Sequence, residues 1–404
     1  MYDINFKMPT SVNIGVGISS SVTKYITNNP KTLIITDENL HDIGLADKIT
    51  DSLEADNISF DIYTDIQENP DTEVVNDLAS IINNGGYKQL IALGGGSPLD
   101  ASKAAACLAK SSRPLEDYQW NGYNFESSLP LIAIPTTAGT GSEVTGVAVI
   151  TSRGAKKGIN DKYIFPDVAL IDPELMQSLP SYLTAITGMD ALTHAIEAYI
   201  GINSNEITDQ LAKKSISLIG KYLPQAFSNG DDIVSRYYMA LASLMAGIAM
   251  DQSGLGIVHS LSGPLCGHLH FSHGLANSMM LPYGLEYNIM ASEGKIAKIG
   301  ELLGLEKKGN DREMAYATIE LIKRYQKDLE LIKPIKDSLF YEVDFDKYGE
   351  EAANMFLINN NPRKADKVAC KKIFLESFKQ YKLSKKIIIR SEIDAFNKYW
   401  WYRW

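Results

Sequence analysis

The sequence predicts an α/β domain built on a parallel sheet, followed by an all-α domain. Three observations carry this. Short β-branched runs alternate with helical stretches through the first half, the runs are continuously apolar, and beyond about Leu183 the strand signals fade. Lys31-Thr-Leu-Ile-Ile-Thr36 reads as a buried strand, Leu40 to Asp56 as a helix, Ile58 to Tyr63 as a strand and Glu73 to Asn83 as a helix. Gln89-Leu-Ile-Ala-Leu93, bounded by Gly86 and Gly94, is a third strand. Strands joined by helices of this length pair in parallel, because a parallel pair needs a long crossover. The helical patterns that follow are Met189 to Ile200, Asp209 to Leu223, Ile233 to Met250, Ala315 to Leu329 and Cys370 to Tyr381. Asp172-Pro173-Glu174-Leu175 and Leu179-Pro180 interrupt the α/β pattern, so the expected domains are 1–180 and 181–381, with 382–404 as a C-terminal extension.

Composition excludes several classes of function. A chain of 404 residues, 45% hydrophobic and 22% charged, buries a large core and belongs with globular enzymes rather than disordered chains. Its net charge of −10 repels a phosphate backbone, so no nucleic-acid partner is expected. Cys107, Cys266 and Cys370 are far apart and form no C-x-x-C pair, which suits a reducing cytoplasm. Met1 to Gly15 lacks the basic and apolar regions of a signal peptide. The longest apolar run, Tyr237 to Met250, falls short of the ~20 residues of a membrane span. Residues 381–404 carry six basic and two acidic side chains together with Trp400, Trp401 and Trp404. Such a tail is either a docked or frayed extension or a nucleic-acid or membrane-surface segment.

Of six histidines, His259, His268, His270 and His273 cluster within fifteen residues, and His194 follows Asp190 by four. An i, i+4 pair on a helix projects from one face, so Asp190 and His194 can address one point. Taken alone, such a pair is more readily a pair of surface neighbours. His259 and His273 sit in Gly256-Ile-Val-His-Ser-Leu-Ser-Gly263 and Phe271-Ser-His-Gly274, where small residues allow close approach. Two imidazoles added to the Asp190/His194 pair complete an N3O set that suits Fe(II) or Zn(II) and suits Ca or Mg poorly. His268 and His270 are alternative ligands, proton carriers near a cleft, or solvated side chains.

Leu93-Gly-Gly-Gly-Ser-Pro-Leu-Asp-Ala-Ser-Lys103 follows a strand and opens a helix, with Ser97 and Pro98 suited to N-cap and N1. Its free backbone N–H groups make a cradle for a pyrophosphate, although the pattern is not G-x-G-x-x-G. Ile134-Pro-Thr-Thr-Ala-Gly-Thr-Gly-Ser-Glu143 is a second flexible loop that adds hydroxyl donors, or else an ordinary loop beside a core strand. Asp37, just beyond a strand, is placed either to accept from an adenosine ribose or to cap a helix.

Gly94-Gly-Gly-Ser97, Pro135 to Glu143, Gly188-Met-Asp-Ala-Leu-Thr-His-Ala-Ile-Glu-Ala-Tyr199 and the His259 to His273 segment together resemble the iron-containing (group III) alcohol dehydrogenases, over roughly residues 1 to 380. The resemblance implies a dehydroquinate synthase-like architecture, with an N-terminal dinucleotide-binding domain and a helical domain carrying the metal. It implies Asp190, His194, His259 and His273 as metal ligands, with His259, His273 and His270 as catalytic candidates. It implies Gly95, Gly96, Ser97, Thr136, Thr137 and Thr140 on the phosphate side of NAD, and Asp37 and Asn69 at the adenosine end. Lys156 matches a cofactor-contacting lysine, with Lys157 as its neighbour in Gly154-Ala-Lys-Lys-Gly-Ile159. Acidic Asp37 favours NAD over NADP, since it repels a 2′-phosphate.

The implied reaction is hydride transfer between a small primary alcohol and NAD, in a homo-oligomer. The alternatives are a dehydroquinate synthase-like lyase and a non-catalytic metal- or nucleotide-binding protein. Two features depart from the family pattern: Gly263 stands where many members carry a further histidine near the substrate, and the extension beyond about residue 381 has no counterpart.

Overall fold

The computed structural model describes residues 4–119, 122–152, 154–332 and 343–379, so the extension 382–404 lies outside the described residues. The chain divides after Gly254 into two compact units, the first also taking Leu302–Gly304.

The first unit opens with β1 (Ser11–Ile14), β2 (Thr32–Ile35), α1 (Glu38–Asp42), α2 (Asp47–Ala55), β3 (Phe60–Tyr63), α3 (Thr72–Gly85), β4 (Gln89–Gly94) and α4 (Gly96–Leu108). It continues with β5 (Leu131–Pro135), the hairpin strands β6 (Val147–Ser152) and β7 (Ala155–Asn160), β8 (Val168–Ile171), and the helices α5 (Ser181–Ile200), α6 (Glu206–Ser228) and α7 (Ile233–Ser253). Six strands form one sheet in the order β1-β8-β5-β4-β2-β3, and every pairing is parallel. β2, β4 and β5 are buried along their whole length, which is why they read as unbroken apolar runs.

Side chains leave each strand alternately, so the sheet feeds two cores. Leu33, Ile35, Leu90 and Ala92 pack with Leu78 and Ile82 of α3 and Ala101 and Ala105 of α4. Ile34, Ile91, Leu93 and Ile134 pack with Ile49 and Leu53 of α2. Each fully buried Leu or Ile contributes roughly 1.5–3 kcal/mol.

Three local expectations need correction. The helix expected from Leu40 to Asp56 is two helices, because the chain turns at Gly44 with φ 73° before α2 begins. Ser97 is not an N-cap: the cap of α4 is Gly95, which puts Ser97 and Pro98 inside its first turn. Proline is tolerated there because a first-turn N–H has no intrahelical acceptor. α7 is also longer than its apolar run, and by length and hydropathy it could span a membrane. It serves instead as a core helix packed on α5 and α6. Its buried Arg236 donates to Gly230 O at 2.8 Å, Thr184 Oγ1 at 2.8 Å and Leu179 O at 3.0 Å.

The second unit is helical throughout its described residues: α8 (Ile257–Leu269), α9 (His273–Leu302), α10 (Asp311–Asp328), α11 (Phe345–Asn354) and α12 (367–379). α8 packs on α11, and Phe374 and Phe378 of α12 are buried.

Candidate active site

In a parallel sheet all carboxyl ends share one edge, and the crevice outside that edge is where such sheets bind ligands. Asp37 follows β2, Asn69 follows β3, Gly95 to Ser97 follow β4, and Thr136, Thr137 and Thr140 follow β5. All of these candidates therefore lie along the same edge. β4 and β5 run in register to Gly94 and Pro135, and the Thr136 N–H donates to Gly94 O at 3.0 Å, which locks the two loops side by side. Gly94 has φ 153°, and a Cβ on it would meet Pro98 Cγ at 2.6 Å. A Cβ on Gly96 would meet Thr140 Cγ2 at 3.0 Å, so the two loops touch.

Ser97 Oγ accepts from the Asn69 N–H at 3.1 Å, with Asn69 held at φ 57°. Thr151 Oγ1 donates to Asn69 O at 3.2 Å. Thr151 faces Lys156 across the β6–β7 ladder while Lys157 faces Ile150. Cross-strand partners share a sheet face, so Lys156, and not Lys157, lies on the Asn69 side of the hairpin. Asp37 performs the capping role: one of its oxygens accepts from the Leu40 N–H at 3.1 Å. One carboxylate can cap with one oxygen and accept from a sugar hydroxyl with the other, so the two readings of Asp37 are compatible.

The metal candidates form one pair in each unit. In the first unit, Asp190 and His194 are buried on α5, with Oδ1 and Nε2 3.8 Å apart. The His194 Nδ1–H donates to Gly139 O at 3.2 Å. A carbonyl can only accept, so Nδ1 carries the proton and Nε2 presents its lone pair, as a ligating histidine requires. In the second unit, His259 is buried on α8 and His273 opens α9, with ring centroids 5.3 Å apart. The Asn277 amide donates to His259 Nε2 at 2.9 Å and to His273 Nε2 at 3.1 Å. Both lone pairs thus face a single point, now met by an N–H, and a divalent cation fits the same donors. His268 is engaged elsewhere: Nε2 is 2.8 Å from Glu351 Oε2, and the ring stacks on Tyr348. His270 ends α8 with φ 54° and is exposed.

Two family models match the chain. "Iron-containing alcohol dehydrogenase" matches residues 9–173, and "Fe-containing alcohol dehydrogenase family, C-terminal" matches residues 184–378. The NAD-dependent methanol dehydrogenase of Bacillus methanolicus is 36% identical over 366 residues, 89% of this chain and 96% of that one. The sulfoacetaldehyde reductase of Bilophila wadsworthia is 32% identical, covering 87% of this chain and 93% of its own. Among solved structures, a 1,3-propanediol oxidoreductase superposes with TM-score 0.89 at 33% identity, over 93% of this chain and all (100%) of the other.

The chain belongs to the iron-containing alcohol dehydrogenase family.

The candidate donors are imidazole and carboxylate rather than thiolate, and the three cysteines are free and buried. Gly263 now has a physical reason. A Cβ at this position would meet Met355 Sδ at 2.7 Å, so the space beside α8 is filled by methionine from the segment after α11.

Sequence reasoning missed Gly139 and Asn277. Asn277 was findable, since His273 and Asn277 are i, i+4 partners on one helix face. Gly139 acts through its backbone carbonyl, which leaves no mark in a sequence.

Proposed function

We propose that this chain interconverts a small primary alcohol and its aldehyde by hydride transfer with NAD(H). One divalent cation, Fe(II) or Zn(II), is held by Asp190, His194, His259 and His273. The observation that carries the reading is the His194 Nδ1–H to Gly139 O bond, because the loop bearing the nucleotide threonines also orients a metal-ligand candidate. When bound, the cation supplies Lewis acidity toward an alcohol or carbonyl oxygen, worth several kcal/mol of charge stabilisation.

The chain's own residues supply position. The N–H groups at the start of α4 and the hydroxyls of Thr136, Thr137 and Thr140 bind the pyrophosphate. Asp37 and Asn69 bind the adenosine end, and Lys156 adds a cation on the Asn69 side of the hairpin. Asp37 sets the preference for NAD, since its charge opposes a 2′-phosphate. The Gly139 carbonyl keeps the proton of His194 on Nδ1 throughout. His270, exposed at the end of α8, exchanges a proton with solvent at its imidazole. The domain assignment is 1–180 for the nucleotide and 181–381 for the metal. The partner is a small molecule rather than nucleic acid or a membrane, in a cytoplasmic homo-oligomer.

The test is metal analysis of anaerobically purified protein, with NADH oxidation followed by absorbance over a panel of short aldehydes. The expected result is about one ion per chain and turnover with NADH, both lost in His194→Ala and His259→Ala. His270→Ala should keep the ion while its rate becomes dependent on added buffer. A metal-free variant with full turnover would overturn the ligand assignment, and a bound ion without turnover on any aldehyde would overturn the activity.

A further inference from the structure

Met355 follows α11 and lies against α8, one turn past a metal-ligand candidate. A Cβ on Gly263 would come within 2.7 Å of Met355 Sδ and 3.3 Å of Met355 Cε, so the end of the thioether rests on bare helix backbone. His259 and Gly263 are i, i+4 neighbours on one face of α8, about 6 Å apart along its axis. Cys266, two turns beyond His259, returns to that face, and its Sγ is 3.9 Å from His273 Nδ1. The His273 ring, 5.3 Å from the ring of His259, therefore spans the turn that carries Gly263. All of these residues belong to the second unit.

Gly263 is thus surrounded by two imidazoles and a thioether, and Gly263, His273 and Met355 are each only half-buried. The hydroxyls of the same stretch of α8 are turned away from a ligand. Ser260 and Ser262 are fully buried and donate back to Gly256 O at 2.9 Å and His259 O at 3.0 Å. That leaves the thioether as the surface offered beside Gly263. A thioether is flexible and polarizable, has no donor and is only a weak acceptor, so it moulds to alkyl carbon and gives a hydroxyl little. An alcohol oxygen held beside the point faced by the two Nε2 atoms needs only a few carbons to bring its chain one turn along α8, onto Met355. Alkyl carbon there leaves water for an apolar contact, whereas a hydroxyl there leaves water without gaining a partner.

We propose that Met355 is a specificity-determining residue: its thioether walls the substrate side of α8 and selects unbranched alkyl alcohols and aldehydes over hydroxylated compounds of the same length. The proposal rests on the reaction and ligand set assigned above. The test compares kcat/KM for ethanol, 1-propanol, 1-butanol and 1-pentanol, and for 1-butanol against its isostere 1,3-propanediol. Ratios within one preparation do not depend on how much of it holds metal. The parent should gain roughly fourfold per added methylene, the transfer energy of one CH2. It should prefer 1-butanol to 1,3-propanediol by about 10- to 100-fold.

Met355→Ala should flatten the series to less than about twofold per methylene. Met355→Gln keeps the length of the side chain and adds an amide, so it remains informative should the truncation not fold; it should bring the diol to within about threefold of 1-butanol. Both variants should retain their ion. Binding without turnover is read from the visible absorbance of the Co(II)-loaded protein titrated with the same alcohols: the dissociation constants should follow the same order in the parent and lose it in Met355→Ala. A parent series without slope, or a slope and diol preference unchanged in both variants, would overturn the proposal alone. So would loss of the ion from both, which would make Met355 a support for the ligand histidines. A parent that holds an ion yet oxidises none of these alcohols would overturn the reaction assigned above, and the proposal with it.

Discussion

Asp37 shows how one side chain can satisfy two constraints. Its oxygen on the Leu40 N–H caps α1, and its charge sits at the carboxyl edge of the sheet, where the nucleotide is proposed to bind. Asp37→Asn keeps an equally good N-cap and removes the charge. It should leave urea stability within about 0.5 kcal/mol while kcat/KM with NADPH rises severalfold relative to NADH, whereas Asp37→Ala should cost about 1 kcal/mol. Unchanged cofactor preference in Asp37→Asn would detach the residue from the nucleotide.

Glu143, at the end of the threonine loop, is 3% exposed, and burial pushes its carboxyl from 4.5 up to about 7. Between these values the folded protein holds a proton that the unfolded chain has released, so stability falls as pH rises through this window. A displacement of this size is worth at most about 3 kcal/mol. Glu143→Gln should therefore be the more stable protein at pH 8 and match the parent near pH 4.5, as urea melts at the two pH values would show. An equal gap at both would mean that Glu143 does not titrate in this window.

At the scale of elements, α8 owes its close packing to a glycine. Gly263 lies against the flexible end of the half-buried Met355, which must shift to admit a side chain, so Gly263→His should destabilise by about 1–2 kcal/mol. Met355→Ala in the same chain should recover most of the loss, and thermal melts of the single and double variants would show whether it does. The same elements explain what could be read from the chain. β2 and β4 were legible because they are buried on both faces and bounded by glycine or polar residues. β5 and β8 are no shorter than β2 and nearly as buried, but β5 runs directly into the Pro135–Glu143 loop motif and β8 into the Asp172-Pro173 break, and those signals dominated their reading. β1, with an exposed or half-buried residue at every position, gives no apolar run at all. The four metal-ligand candidates stood out because histidine is rare here and ligand chemistry needs it, whereas α8 and α9 did not, because small residues and internal prolines (Pro264, Pro282) mask their helical period.

For the whole molecule, the proposed ligands come two from each compact unit, Asp190 and His194 from one, His259 and His273 from the other. An ion that binds only when all four are folded stabilises by RT ln(1 + [L]/Kd), about 3–4 kcal/mol at one hundred to one thousand times the dissociation constant. That energy is available only while both units are folded, so the ion should make their unfolding one event. In calorimetry the metal-loaded chain should melt in a single transition. Chelation should lower the melting temperature and split the trace into two, and readding Fe(II) or Zn(II) should restore the single peak. Asp190→Ala and His273→Ala, one from each unit, should both abolish this response. A response that survives in either variant would place the stabilising ion outside the proposed set.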